Sequence, residues 1–177
     1  MFQIGELIIH GTNGVCEVTE ITKLSMPGAD NDRMYYVLRP YYQKGGKIFS
    51  PVDSDKVLMR KVITKDEVEQ LLEEMPTIGT LWVENERLRE NQYKECVRTG
   101  DCRELVKIIK TLYTRKMDRM AQGKQVTSTD EQYLKIAEDS LYSEMAIALD
   151  IPRDKVKEYI ISYLKKWDEE QEKLKDK

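Results

Sequence analysis

Over residues 1–60 the chain places apolar and polar residues in short alternating runs separated by turn residues, the pattern of half-buried strands. Residues 4–9 form a short run rich in β-branched isoleucine, and Gly11-Thr12-Asn13-Gly14 breaks it. Residues 15–21 alternate with period two. Pro27-Gly28-Ala29-Asp30-Asn31-Asp32 has the composition of a loop. Residues 33–40 form a third run, and Gly45-Gly46 turns the chain into a fourth over 47–52. Asp53-Ser54-Asp55 reads as a turn, and 55–64 as a short connection. Short strands at near-regular spacing predict a small barrel of the SH3 or Tudor type.

From residue 64 the apolar positions recur at helical spacing. Thr64-x-x-Glu67 is a capping box, and Val68, Leu71, Leu72 and Met75 form a stripe that stops at Pro76. After Pro76-Thr77-Ile78-Gly79, a helix is expected to open at Thr80 and run past Trp82, Tyr93 and Cys96 to Gly100. Asp101-x-x-Glu104 opens the next, with Leu105, Ile108, Ile109 and Leu112 inward, and Gly123 ends it. Ser128-x-x-Glu131 starts a fourth, with Ala137, Leu141 and Met145 inward. Pro152 begins the last, with Val156, Ile160, Leu164 and Trp167 on one face. The charged stretch 168–177 is expected to fray. The prediction is an α+β protein, with a small Tudor/SH3-like β-barrel over 1–60 and a five-helix domain over 61–177.

Charge changes this picture only locally. The chain of 177 residues has a net charge of −3. Yet residues 87–124 hold eleven Lys or Arg against five Asp or Glu, a net of +6. A basic stretch between acidic flanks is an electrostatic footprint for a polyanion. Local i,i+3 and i,i+4 pairs such as Glu90/Lys94 neutralise part of it. Arg87, Arg89, Arg98, Arg103, Lys110, Lys116 and Lys124 exceed the local partners, and such a surplus meets phosphates.

Candidate catalytic chemistry is absent. His10 stands alone beside a glycine turn, and no G-x-S-x-G, P-loop or G-x-G-x-x-G occurs. Three cysteines, Cys16, Cys96 and Cys102, include no C-x-x-C pair, so neither a disulfide scaffold nor a metal site is expected, and reduced thiols fit a cytoplasmic address. No cofactor, no enzyme activity, no secretory signal and no membrane span are expected. Two aromatic features stay open. Trp82 either caps the helical core or stands in solvent as an apolar wedge for base steps. One of each pair Tyr35/Tyr36 and Tyr41/Tyr42 is expected to face solvent, either at a protein interface or over a minimal core.

Several fragments, in order and spacing, resemble one family. They are Phe2-Gln3-Ile4-Gly5-Glu6-Leu7-Ile8-Ile9, Gly14-Val15, Tyr36-Val37-Leu38 and Ser50-Pro51-Val52, then Trp82 ahead of Gly100-Asp101. Glu104 to Tyr113, Thr129-Asp130-Glu131 and Ala137 to Ala146 complete the set. Over nearly its full length the chain resembles the CarD/CdnL regulators of bacterial transcription.

The resemblance implies that the Tudor-like domain adds its sheet edge to the β subunit of RNA polymerase. It also implies that the helical domain contacts promoter DNA at the upstream edge of the melted bubble. There a Trp wedged in the minor groove stabilises the open complex. On that reading Trp82 is the wedge, and Arg87, Arg89, Lys94, Arg115 and Lys116 meet phosphates without reading sequence. Lys23, Arg39, Lys47, Ile48 and Phe49 form the polymerase-facing edge, and the protein is a monomer held at the nucleoid through polymerase. Phe49 stands where many members carry a polymerase-contacting arginine, and the interval from Trp82 to Gly100 is about one helical turn longer than in actinobacterial members. The translocase that shares the polymerase-binding module is excluded, since no ATPase motif is present. A protein–protein adaptor without direct DNA contact is the alternative.

Overall fold

The alternating part of the chain folds into antiparallel strands β1 (Leu7–His10), β2 (Val15–Lys23), β3 (Met34–Pro40), β4 (Ile48–Pro51) and β5 (Met59–Lys61). Their order in the sheet is β4-β3-β2-β1-β5. The computed structural model describes residues 1–175 except Met26, Ala29 and Asn31, so part of the expected loop at 27–32 lies outside the described residues. Two compact units are present, Met1–Val62 and Ile63–Lys177.

The sheet curls. Adjacent strands lie about 4.8 Å apart, so a flat sheet would hold β4 and β5 roughly 19 Å from one another. Instead the Ser50 hydroxyl on β4 donates to Met59 Sδ on β5 at 3.6 Å. A bulge at Thr19, where the β2–β3 register shifts between Val18 and Glu20, helps to bend the strand. The Thr19 hydroxyl then donates to the Val37 carbonyl at 2.9 Å. Ile8, Cys16, Val18, Tyr36 and Leu38 form the core. Gly11 adopts φ +49°, and a side chain there would meet Val57 Cγ1 at 2.8 Å, so the turn after β1 admits little else.

Two expectations about this unit fail. Tyr35 and Tyr36 are both buried, because β3 is covered on both faces, while Tyr41 and Tyr42 are both exposed beyond its end. The Tyr36 hydroxyl accepts from Phe2 N at 2.9 Å, so the N-terminal segment covers that ring. The stretch read as a connection contains β5, which pairs with β1. A three-residue strand whose partner is some fifty positions away leaves no periodic signal.

The remaining chain forms α1 (Lys65–Glu74), α2 (Arg89–Thr99), α3 (Cys102–Ala121), α4 (Ser128–Leu149) and α5 (Val156–Lys175). The capping box forms as the sequence indicates: the Thr64 hydroxyl accepts from Glu67 N, and Glu67 Oε2 accepts from Thr64 N. Asp101 caps α3 by accepting from Arg103 N and Glu104 N, and Gly100, at φ 61°, turns the chain out of α2. Apolar residues from all five helices form one core, including Leu72, Tyr93, Ile108, Leu141, Met145 and Val156. Buried Glu144 on α4 accepts from Ile63 N at 3.0 Å and from the Cys102 thiol at 3.4 Å, fixing the entry of the chain into this unit.

Three boundaries differ from expectation. The helix expected from Thr80 starts only at Arg89, because residues 78–85 are held non-helical by α3. Thr127, not Ser128, caps α4. The charged tail continues α5 to Lys175. Lys166/Glu170 and Glu169/Lys173 stand at i,i+4, a spacing that supports an exposed helix.

Candidate nucleic-acid interface

Between α1 and α2 the chain makes one 3-10 turn at Met75–Thr77, runs irregularly to Asn85, and makes a second turn at Glu86–Leu88. Ile78 and Leu81 pack on the helical core. Trp82, next to Leu81, is 82 % exposed and caps nothing. An aromatic side chain buries roughly 150–250 Å² in a core, about 4–6 kcal/mol at 25 cal/mol per Å², and Trp82 forgoes most of it. A side chain this exposed is free to contact another molecule. Trp167 gives the contrast, since it is only partly exposed on α5.

The segment is held just ahead of Trp82. Lys110 Nζ on α3 donates to the carbonyls of Met75 at 2.8 Å and Ile78 at 2.5 Å. Burial pushes the Lys110 ammonium below its ordinary range. The Thr111 hydroxyl accepts from Leu81 N at 2.7 Å and donates to the Lys107 carbonyl. Asn85 Oδ1 accepts from Arg87 N at 3.0 Å and opens the second 3-10 turn. The irregular segment and this turn carry the chain from Thr77 to the start of α2 at Arg89.

The cations divide into two groups. Arg89 and Arg115 face inward around Asp130, which is 2 % exposed. Arg115 Nε lies 2.8 Å from Asp130 Oδ2, and Arg89 Nη1 lies 3.8 Å from Oδ1. The Tyr93 hydroxyl donates to Asp130 Oδ1 at 3.3 Å, and burial together with Asp130 pushes that phenol far above its usual range. Both arginines also pair with Glu86. Arg98 pairs with Glu95, Lys107 with Glu104, and Arg103 with Glu74 of α1. Arg87 and Lys94 are exposed, Lys116 is half-buried, and none of the three has a carboxylate partner among the described residues.

Local sequence could not show this division. Glu74 and Arg103 are 29 residues apart, and Asp130 reads as an ordinary first-turn acid of α4. Asp130, Glu86, Thr111 and Lys110 all escaped sequence reasoning as shapers of the Trp82 segment.

On the sheet, the five residues expected at one edge separate. Lys47, Ile48 and Phe49 lie at or on β4, which among the described residues has a strand neighbour only on its β3 side. Ile48 packs toward the core and Phe49 points out, 40 % exposed. Arg39 instead lies on β3, inside the sheet, paired with Glu17 at 2.5 Å. Lys23 ends β2 opposite Met34, also away from β4. Strand patterns reveal strands but not their neighbours, so sequence alone does not separate these two from the edge.

Residues 2–63 match the family model of the CarD-like/TRCF RID domain, and residues 67–161 match that of the CarD C-terminal domain. The chain belongs to the CarD family. No curated protein matches it. The two CarD domains make it an RNA polymerase-interacting transcription factor, in a family that is not enzymatic. Both matched models agree with an α+β chain whose Tudor-like sheet precedes the helices.

The other reactive groups of this CarD protein are enclosed. His10 is buried at the end of β1, with Nδ1 3.1 Å from Asn13 Nδ2 and no hydrogen-bond partner on Nε2 among the described residues. Its burial lowers its pKa. Cys16 and Cys96 are buried thiols pushed up to about 11, chiefly by that burial. Among the described residues no three His, Cys, Asp or Glu side chains are grouped to hold a metal, and no helix is long and apolar enough to cross a membrane.

Proposed function

We propose that this CarD protein bridges RNA polymerase and promoter DNA and lengthens the life of the open complex. Trp82 enters the minor groove at the upstream edge of the bubble as an apolar wedge. Arg87, Lys94 and Lys116 meet flanking phosphates, with Arg89 and Arg115 behind them. The β4 edge at Lys47, Ile48 and Phe49 adds to a sheet of the polymerase β subunit, a mode in which main-chain hydrogen bonds supply affinity. Residues 1–60 are thus the polymerase-interacting domain and 61–177 the DNA-binding one. The protein works as a monomer in the cytoplasm, at the nucleoid through polymerase. The observation that carries this reading is the exposure of Trp82 directly after a segment that α3 holds at Ile78 and Leu81.

The test is the lifetime of open complexes formed by purified bacterial RNA polymerase on a promoter with an unstable bubble. Wild type lengthens the lifetime, and Trp82→Ala abolishes most of that gain, about tenfold or more for a wedge worth a few kcal/mol. An unchanged lifetime with wild type contradicts the proposal. The neutralisation of Arg98, Arg103 and Lys107 by carboxylates favours one other reading, an adaptor that touches only protein. A Trp82→Ala variant as active as wild type supports the adaptor.

A further inference from the structure

We infer that Arg89 and Arg115 form a phosphodiester site whose occupant in the free protein is the carboxylate of Glu86. This rests on the DNA-binding reading above and adds a competitor to it. The two arginines hold two carboxylates of opposite character. Asp130 is buried, receives the Tyr93 hydroxyl, and is fixed by its own N–H to the Thr127 hydroxyl at 3.2 Å. Glu86 has a side chain 64 % exposed, on a 3-10 turn rather than a helix. Its contacts with Arg115 are long, 3.4 Å from Nη1 to Oε1 and 3.3 Å from Nη2 to Oε2, and its other partner is Arg89.

Glu86 is the carboxylate that can leave, because it regains water on release while an incoming anion covers the two guanidinium groups in its place. Asp130 cannot, because its removal would strand two guanidinium groups that are only 16 % and 25 % exposed. Charge balance identifies the replacement. Two arginines, Asp130 and Glu86 sum to zero, so the ligand that takes the place of Glu86 without leaving excess charge is a monoanion. A phosphodiester is such a monoanion, and arginine forks bind it through short paired hydrogen bonds. The donors that a phosphodiester would take over are those that now hold Glu86, Nη1 and Nη2 of Arg115 and Nη2 of Arg89.

Position agrees. Glu86 follows Trp82 by four residues, at most about 14 Å of extended chain. A Trp seated between base steps therefore brings a neighbouring phosphate within reach of the arginine pair. In free protein the Glu86 carboxylate screens the pair from other anions, so the site opens only where the Trp is already seated.

The experiment measures affinity of the full chain for a labelled promoter duplex with a preformed bubble, across a series of salt concentrations, with thermal stability measured in parallel. Glu86→Gln removes the competing charge and keeps the side-chain shape, and Glu86→Asp keeps the charge. The expected result is binding 3–10-fold tighter for Glu86→Gln and a log–log salt dependence steeper by up to about one unit, since no displaced carboxylate then offsets the phosphate that takes its place. Glu86→Asp stays close to wild type. A purely structural Glu86 would lower stability in Glu86→Gln and leave the salt slope unmoved. Wild-type binding that Trp82→Ala weakens, with a Glu86→Gln slope and affinity unchanged, overturns this site and spares the DNA reading. Wild type that fails to bind at any salt overturns both.

Discussion

Phe49 and Trp82 are both aromatic side chains left in water, 40 % and 82 % exposed, and the two units expose them by different means. Phe49 sits on a regular strand whose backbone ladder to β3 fixes its direction. Trp82 sits on irregular chain, fixed by side chains of α3 reaching over to Ile78 and Leu81. A strand edge is a template that accepts many extended sequences through main-chain bonds. A pinned Trp is a point contact, useful only if its position is kept. The sheet edge should therefore tolerate single side-chain changes that keep its charge, and the Trp82 segment should be sensitive to residues that never touch a partner.

The strongest way to break this contrast is at Asp130. Asp130→Asn leaves Arg89 and Arg115 facing a neutral amide, and a broken buried pair costs about 3–5 kcal/mol. Urea unfolding followed by helical signal should show that loss. A loss below about 1 kcal/mol would mean that the arginines are held by Glu86 alone. Thr111→Val is milder and more specific. It removes the acceptor of Leu81 N, at about 1–2 kcal/mol for a stranded donor. Helicity should persist while the open-complex lifetime falls severalfold, and a lifetime equal to wild type would show that Thr111 does not position Trp82.

On the sheet, Lys47→Glu should weaken polymerase binding severalfold, mainly through slower association, and leave affinity for isolated DNA intact. Unchanged polymerase affinity would move docking away from β4. The smallest effect belongs to His10. Burial lowers its pKa below the ordinary 6.5, so the unfolded chain binds a proton that the folded sheet refuses. Stability of the β unit should fall as pH drops through 6.5 and level off below the lowered folded value. His10→Gln should flatten that part of the profile, and an unaltered profile would assign it to the carboxylates.

The contrast also explains what could be read beforehand. The helix caps at Thr64, Asp101 and Gly100, and four of the five strands, depend on neighbours within a few residues, so they were legible. Trp82 stood out as a candidate, but its exposure did not. That depends on Lys110 and Thr111, about 30 residues further on, which hold the segment out of a helix that its own residues permit. The same holds for the cations. Their number was plain from composition, while the pairing of Arg103 with Glu74 and the burial of Asp130 arise only when α1, α3 and α4 pack. β5 was invisible because three residues carry no period.

The most direct measurement places a photo-crosslinking amino acid, p-benzoylphenylalanine, at position 82 in the full chain. It then irradiates open complexes of RNA polymerase on labelled promoter DNA. A wedge at the upstream edge of the bubble gives crosslinks to the DNA strands at that edge, competed away by unlabelled promoter and weakened by salt. Crosslinks confined to polymerase subunits, with none to DNA, would contradict the wedge and leave Trp82 as a protein contact.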